Sequence, residues 1–110
     1  MDETKQIVEN LVLELRRGTL VLSVLSQLLE PQYGYSLVES LAIKGISVDP
    51  GTLYPLLRRL EKQELLQSEW ETSGAKPRKY YVLSKTGEQV YEDLCVHWRA
   101  MTNTINDLLK

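Results

Sequence analysis

The chain has 110 residues, 43 % hydrophobic and 25 % charged, with a formal net charge of −2 and a single cysteine. That length fits one domain with a real but small core, and the composition is an ordinary soluble one. Excluded are an internal disulfide, a membrane span, which needs roughly 20 apolar residues in a row, and a chain-wide basic surface for nucleic acid. Lone Cys95 and an acidic start, Asp2-Glu3, with no apolar signal core behind it, point to a reducing cytoplasm.

In chain order, Ile7, Val8, Leu11, Val12 and Leu15 recur at spacings of three and four, and Leu20, Val21, Leu22, Val24, Leu25, Leu28 and Leu29 continue the apolar pattern. This predicts one helix over 5–29, striped in its first half and apolar on most sides in its second. Gly18 marks a weak point within it or a close approach of another backbone. Glu30-Pro31-Gln32 ends the helix, because the residue before a proline is pushed out of the α region. A second helix over 36–43 turns Leu37, Val38 and Leu41 inward and stops at Gly45. Ile46-Ser47-Val48 is then a short connection with room for one residue pair in a sheet.

Asp49 is the expected N-cap of a third helix, with Pro50 at its first position and an end near Gln63. Leu53, Leu56, Leu57 and Leu60 fall on one side, and Tyr54, Pro55, Arg58, Arg59 and Lys62 on the other. Pro55 removes one helical hydrogen bond and crowds the carbonyl of Gly51, whose missing Cβ eases the contact. Leu66–Glu71 and Arg78–Leu83 alternate as strands do, and Thr72–Pro77 carries turn chemistry. Ser84 should cap a last helix that reaches the C-terminus. Along it Tyr91, Leu94, Trp98, Met101, Ile105 and Leu108 form a 3-4 seam suited to pairing helices. The fold class is therefore mainly α with a small β-hairpin. A winged helix-turn-helix over 1–83 is followed by a long dimerisation helix over 84–110, and Leu11 and Leu15 of the first helix join the dimer interface.

Charge is unevenly spread. Residues 1–43 hold three cations against six acids, whereas residues 44–79 hold seven cations against five. Arg58, Arg59 and Lys62 alone could be a solvated helix face. The hairpin tip adds Lys76, Arg78 and Lys79 with no acid before Glu88, and a helix and a wing charged in this way suit a major groove and its flanking phosphates. The expected partner is double-stranded DNA, read by Tyr54, Pro55, Arg58, Arg59 and Lys62 with support from Thr52, Tyr35 and Ser36. Lys76, Arg78 and Lys79 are expected to hold phosphate. A protein-interaction module is the alternative, motivated by Glu61, Glu64, Glu69 and Glu71 around the basic face. Trp98 reads as seam packing or, across two copies, as a platform for a planar aromatic compound. Cys95 and His97 lie about 200° apart on a helix and are too few to hold a metal. No nucleophile stands in recognisable spacing from a base, so neither an enzyme nor a cofactor is expected.

Tyr33-Gly34-Tyr35-Ser36-Leu37, the run Pro50-Gly51-Thr52-Leu53-Tyr54-Pro55-Leu56-Leu57-Arg58-Arg59-Leu60-Glu61, and Lys76-Pro77-Arg78-Lys79-Tyr80-Tyr81-Val82-Leu83 closely resemble the PadR family of bacterial transcriptional regulators. Arg17-Gly18-Thr19-Leu20 is similar to that family's first-helix motif. The resemblance covers nearly the whole chain and implies a winged-helix DNA-binding domain with one C-terminal dimerisation helix, as in the short subfamily. It further implies a homodimer that represses nearby genes and releases DNA when a small planar aromatic or phenolic effector binds. Trp98 matches by position a tryptophan that stacks on such ligands, with Leu20 and Val21 facing it, Arg17 a turn away and Leu94 alongside. The sequence departs from the family at Glu64, where glycine usually follows the recognition helix.

Overall fold

The computed structural model describes residues 2–110. Its helices are α1 (Asp2–Arg16), α2 (Thr19–Ser26), α3 (Gly34–Ile43), α4 (Pro50–Lys62) and α5 (Lys85–Leu108), and its strands β1 (Gln32–Tyr33), β2 (Leu66–Glu71) and β3 (Arg78–Leu83). The strands form one antiparallel sheet in the order β1-β3-β2. Its core is a single cluster drawn from α2 and the turn after it (Val24, Leu25, Leu28), α3 (Leu37, Leu41), α4 (Leu53, Leu56, Leu57, Leu60) and the hairpin (Leu66, Tyr81, Leu83). Each fully buried leucine contributes about 1.5–3 kcal/mol of transfer free energy, so these side chains decide how the elements face one another.

Three expectations are corrected. The helix over 5–29 is two helices, because Gly18 takes φ 90° and turns the chain between Arg16 and Thr19. Arg17 N–H then closes α1 onto the Leu13 and Glu14 carbonyls, and Thr19 Oγ1 donates to the Arg16 carbonyl at 2.7 Å. The hairpin does gain a third strand, but from Gln32–Tyr33 rather than Ile46–Val48. Ile46 N–H instead closes the end of α3 on the Leu41 carbonyl, and Ile46 and Val48 pack half-buried on the core. Asp49 stands at the N-cap of α4 without a side-chain cap; its backbone carbonyl accepts from Thr52 and Leu53 at 2.9 Å.

Other expectations hold. Both hairpin strands occupy the expected residues, in register from Leu66 with Leu83 to Glu71 with Arg78. Ser84 caps α5, its Oγ accepting from Gly87 N–H at 2.9 Å and donating to the Glu64 carbonyl at 2.7 Å. Gly87 is buried against the Leu65 carbonyl, where a Cβ would collide with backbone, so α5 leaves the root of the wing at a fixed point.

α1 contains no buried residue. Together with the far end of α5 it extends the chain to 53 Å and raises the radius of gyration to 16.6 Å, against about 13 Å for a compact chain of this length. Glu64 turns the chain from α4 into β2 with φ 64°, a left-handed conformation that costs a side chain with a Cβ roughly 1–2 kcal/mol. Glu64→Gly is expected to stabilise the fold by about 0.5–1 kcal/mol, part of the relieved strain being offset by glycine's freer unfolded chain. Urea unfolding checks this: the midpoint should rise with an unchanged slope, and an unchanged or lower midpoint would contradict it.

Candidate nucleic-acid interface

The candidate surface begins with α4. Because its leucine face is sunk in the core, Thr52, Pro55, Arg58, Arg59 and Lys62 are exposed on the opposite side. Tyr54 is different. It is half-buried against the core with its ring over Gly34, where any Cβ would strike it, and so it locks the start of α3 to α4. Tyr35 and Ser36 sit in the first turn of α3, Tyr35 exposed and Ser36 half-buried.

The wing carries its cations in three distinct settings. Lys76 is exposed in the turn. Arg78 lies 4.3 Å over the Tyr33 ring and donates from Nη1 to the Tyr35 hydroxyl at 3.3 Å. Tyr33 in turn stacks on Tyr35 at 6.4 Å and meets Tyr80 edge-on at 5.9 Å, and the Tyr80 hydroxyl donates to Glu69 at 2.9 Å. Arg78 thus has one donor occupied and others facing solvent. Lys79 points to the other face of the hairpin and donates to Glu61 Oε1 at 3.3 Å. Glu61 Oε2 accepts from the Ser68 hydroxyl. A groove of about 570 Å³ runs between α4 and the wing, lined by Pro55, Arg58, Arg59, Glu61, Lys62 and Lys79.

The Ser68 hydroxyl foremost, and the Lys79 ammonium after it, hold the Glu61 carboxyl below the usual carboxylate range, against partial burial that pushes it up. On the opposite face the Glu69 carboxylate pushes the Tyr80 phenol up.

A family model, the Transcriptional regulator PadR-like family, matches residues 21–93. The chain belongs to that family. A transcriptional regulator of Mycobacterium tuberculosis is 35 % identical over 75 residues, spanning 67 % of this chain and 70 % of that protein. A crystal structure of a PadR family regulator from Eggerthella lenta is 51 % identical and superposes with a TM-score of 0.95 over 100 % of this chain and 98 % of that one. Bacillus subtilis PadR, in complex with operator DNA, is 21 % identical with a TM-score of 0.66, over 73 % of this chain and 47 % of that one. At that identity the likeness is one of fold.

In this PadR-like regulator the residues expected around Trp98 divide. Trp98 stands between two grooves. One, of about 450 Å³, is lined by Leu15, Arg17, Thr19, Met101 and Ile105 among others, and a second, of about 400 Å³, by Leu22, Ser26, Ile46, Tyr91 and Cys95 among others. Arg17 is therefore beside Trp98. Leu20 and Val21 line a different groove with Thr52, Pro55 and Arg59, and Leu94 packs on the core. The seam of α5 splits likewise: Tyr91 and Leu94 pack half-buried on the chain's own core, whereas Trp98, Met101, Ile105 and Leu108 are exposed.

The sequence reading named Glu61 only as an acid near the basic face, and missed its contacts with Ser68 and Lys79 and the Tyr33–Tyr80 contact. Strand alternation places Ser68 on the face of buried Leu66, toward α4, which is the signal that could have found it. Because the folded-state Glu61 carboxyl is lowered, its stabilisation is full above the ordinary carboxylate value and is lost as pH falls through the lowered one. Glu61→Gln should therefore cost about 1 kcal/mol or less at neutral pH, given the exposure of the pair. Urea unfolding at stepped pH should show that gap closing in acid; a gap independent of pH would contradict the linkage.

Proposed function

We propose that this PadR-like regulator binds duplex DNA as a homodimer, with the two α4 helices in successive major grooves of a pseudo-palindromic site about 34 Å apart. The observation that carries the reading is the division of α4: a fully sunk leucine face, and an outer face presenting Arg58, Arg59 and Lys62 beside the exposed Lys76 and Arg78 of the wing. Tyr54, half-buried over Gly34, ties that face to α3, and Pro55 is exposed within it. Thr52, Tyr35 and Ser36 flank it. These cations make residues 44–79 locally basic, seven cations against five acids, within a chain of net charge −2. Bacillus subtilis PadR, a fold neighbour, is held in complex with operator DNA.

Support for the homodimer comes from the surfaces left over. A helix of 15 residues with no buried side chain is marginal by itself in water. Leu11 and Leu15 of α1 and Trp98, Met101, Ile105 and Leu108 of α5 are all at least 45 % exposed and invite a second copy. The grooves beside Trp98 fit a small planar aromatic or phenolic effector, whose binding would release a repressor from DNA.

Arg58→Ala and Lys76→Ala should each weaken binding to a duplex from upstream of the protein's own gene. Each should also flatten the dependence of log K on log salt by about 0.9, the value for one phosphate no longer neutralised. If affinity and slope are unchanged in both, this face contacts protein rather than DNA.

In a Trp70→Phe background the emission of Trp98 should shift to the red when Leu11→Glu separates the protomers, as sedimentation follows the halved mass. Planar cationic dyes should quench it in the dimer. A wild-type monomer at micromolar concentration would refute the dimer, and emission indifferent to dye would refute the effector site.

A further inference from the structure

We propose that Glu61 and Lys79 are a positioning pair that fixes the wing against the recognition helix, and that Lys79 is not a phosphate ligand. The inference rests on the DNA-binding reading above and assigns one cation of the motif a different task. Glu61 is the penultimate residue of α4, and its two carboxylate oxygens are taken by the two long strands of the wing: Oε2 by Ser68 of β2 and Oε1 by Lys79 of β3. One side chain thus ties the helix to both strands at mid-length.

The register explains why Lys79 is available for this. Trp70 pairs with Lys79 and Ser68 with Tyr81, so all four lie on the sheet face that Leu66 and Leu83 turn toward α4. The ammonium lies 5.4 Å from the Tyr81 ring centre and 6.0 Å from that of Trp70. It is enclosed by one carboxylate and two aromatic faces, with 29 % of the side chain exposed. Arg78, one residue earlier, is exposed on the opposite face.

At its root the wing is held by Ser84 N–H to the Leu65 carbonyl and Ser84 Oγ to the Glu64 carbonyl. Leu66, Tyr81 and Leu83 seat the hairpin in the core, and β1 pairs with the outer edge of β3 at Tyr80 and Tyr81. The Glu61 attachment adds a polar tie from α4 to both β2 and β3, and so holds the width of the groove that Arg58, Arg59 and Lys62 also line. A free carboxylate among those cations would repel phosphate; paired with Lys79 it is neutralised.

The test compares wild type, Lys79→Met, Glu61→Gln and the exchanged pair E61K/K79E. It reads affinity for a mixed-sequence 30-base-pair duplex across a salt series, and amide exchange of the free proteins. Positioning predicts that Lys79→Met weakens binding about fivefold, the scale of a partly exposed ion pair, with the salt slope unchanged. Glu61→Gln should weaken it similarly even though it removes a negative charge, and the exchanged pair should recover most of the loss. Exchange should quicken over 66–71 and 78–83 in both single variants, and stay unchanged in α2 and α3.

A slope flattened by about 0.9 in Lys79→Met, the mark of a phosphate ligand, would overturn the proposal. Tighter binding by Glu61→Gln, or no recovery in the exchanged pair, would do the same. A wild type that binds no duplex sinks the DNA-binding reading alone, and wing exchange in the free variants then decides whether the pair positions the wing.

Discussion

The burial of Leu53, Leu56, Leu57 and Leu60 is the constraint from which the rest of this structure follows. α4 is amphipathic, and once its leucines are sunk between α2, α3 and the hairpin its rotation about its own axis is fixed. That rotation, rather than any property of Arg58, Arg59 or Lys62 themselves, turns three cations outward on one side. It also presses Tyr54 onto Gly34, which fixes where α3 begins. The same core takes Leu66, Tyr81 and Leu83 from the wing, so helix and hairpin are oriented by one set of apolar contacts. Truncating one such leucine to alanine would cost about 2–5 kcal/mol, comparable to a large part of the stability of so small a domain.

A core of this kind satisfies only the middle of the chain. α1 is an amphipathic helix whose apolar stripe stays unburied within the same chain, and α5 leaves the core after Leu94 with a second stripe, from Trp98 to Leu108, facing water. Two stripes exposed in one chain and absent from its interior are complementary in character, and a two-fold axis can bring each against its counterpart. Buried Gly87 and the Ser84 cap matter here because they set the direction of α5 relative to the wing root. In a dimer built on these stripes, the spacing of the two reading heads is inherited from that joint.

How far the sequence was legible depended on how local the cause was. The α4 stripe, both hairpin strands and the Ser84 cap follow from periodicity or from a side chain bonding a few residues away, and each was readable. The break at Gly18 was not, because apolar residues run on through Leu20, Val21 and Leu22 and the pattern looks continuous; only the left-handed glycine separates two helices. β1 has two residues, too short for any alternation to register, and exists because β3 has a second edge to satisfy. Asp49 has the right residue type for a cap and leaves that bond unmade. At the candidate interface the sequence grouped Lys76, Arg78 and Lys79 as one cationic tip. The hairpin's alternation sends Arg78 and Lys79 to opposite faces, where Tyr33 meets one and Glu61 the other, a distinction set by residues more than fifteen positions away.

That separation bears on how such a protein can be switched. A ligand shifts an equilibrium only by the difference in its affinity for the two arrangements, so a useful site must touch elements that move relative to each other. The groove with Arg17, Gly18 and Thr19 on one wall and Trp98, Met101 and Ile105 on the other lies between two separate elements. One wall is the left-handed joint between α1 and α2, and the other is the exposed stripe of α5. The reading surface is instead locked internally, by leucines below and by the Glu61 hydrogen bonds between helix and wing. In the proposed dimer a compound wedged beside Trp98 would lie outside each reading head, at the surfaces that set the distance between the two. Internally locked heads would then lose both half-sites together once that spacing departed from one helical turn.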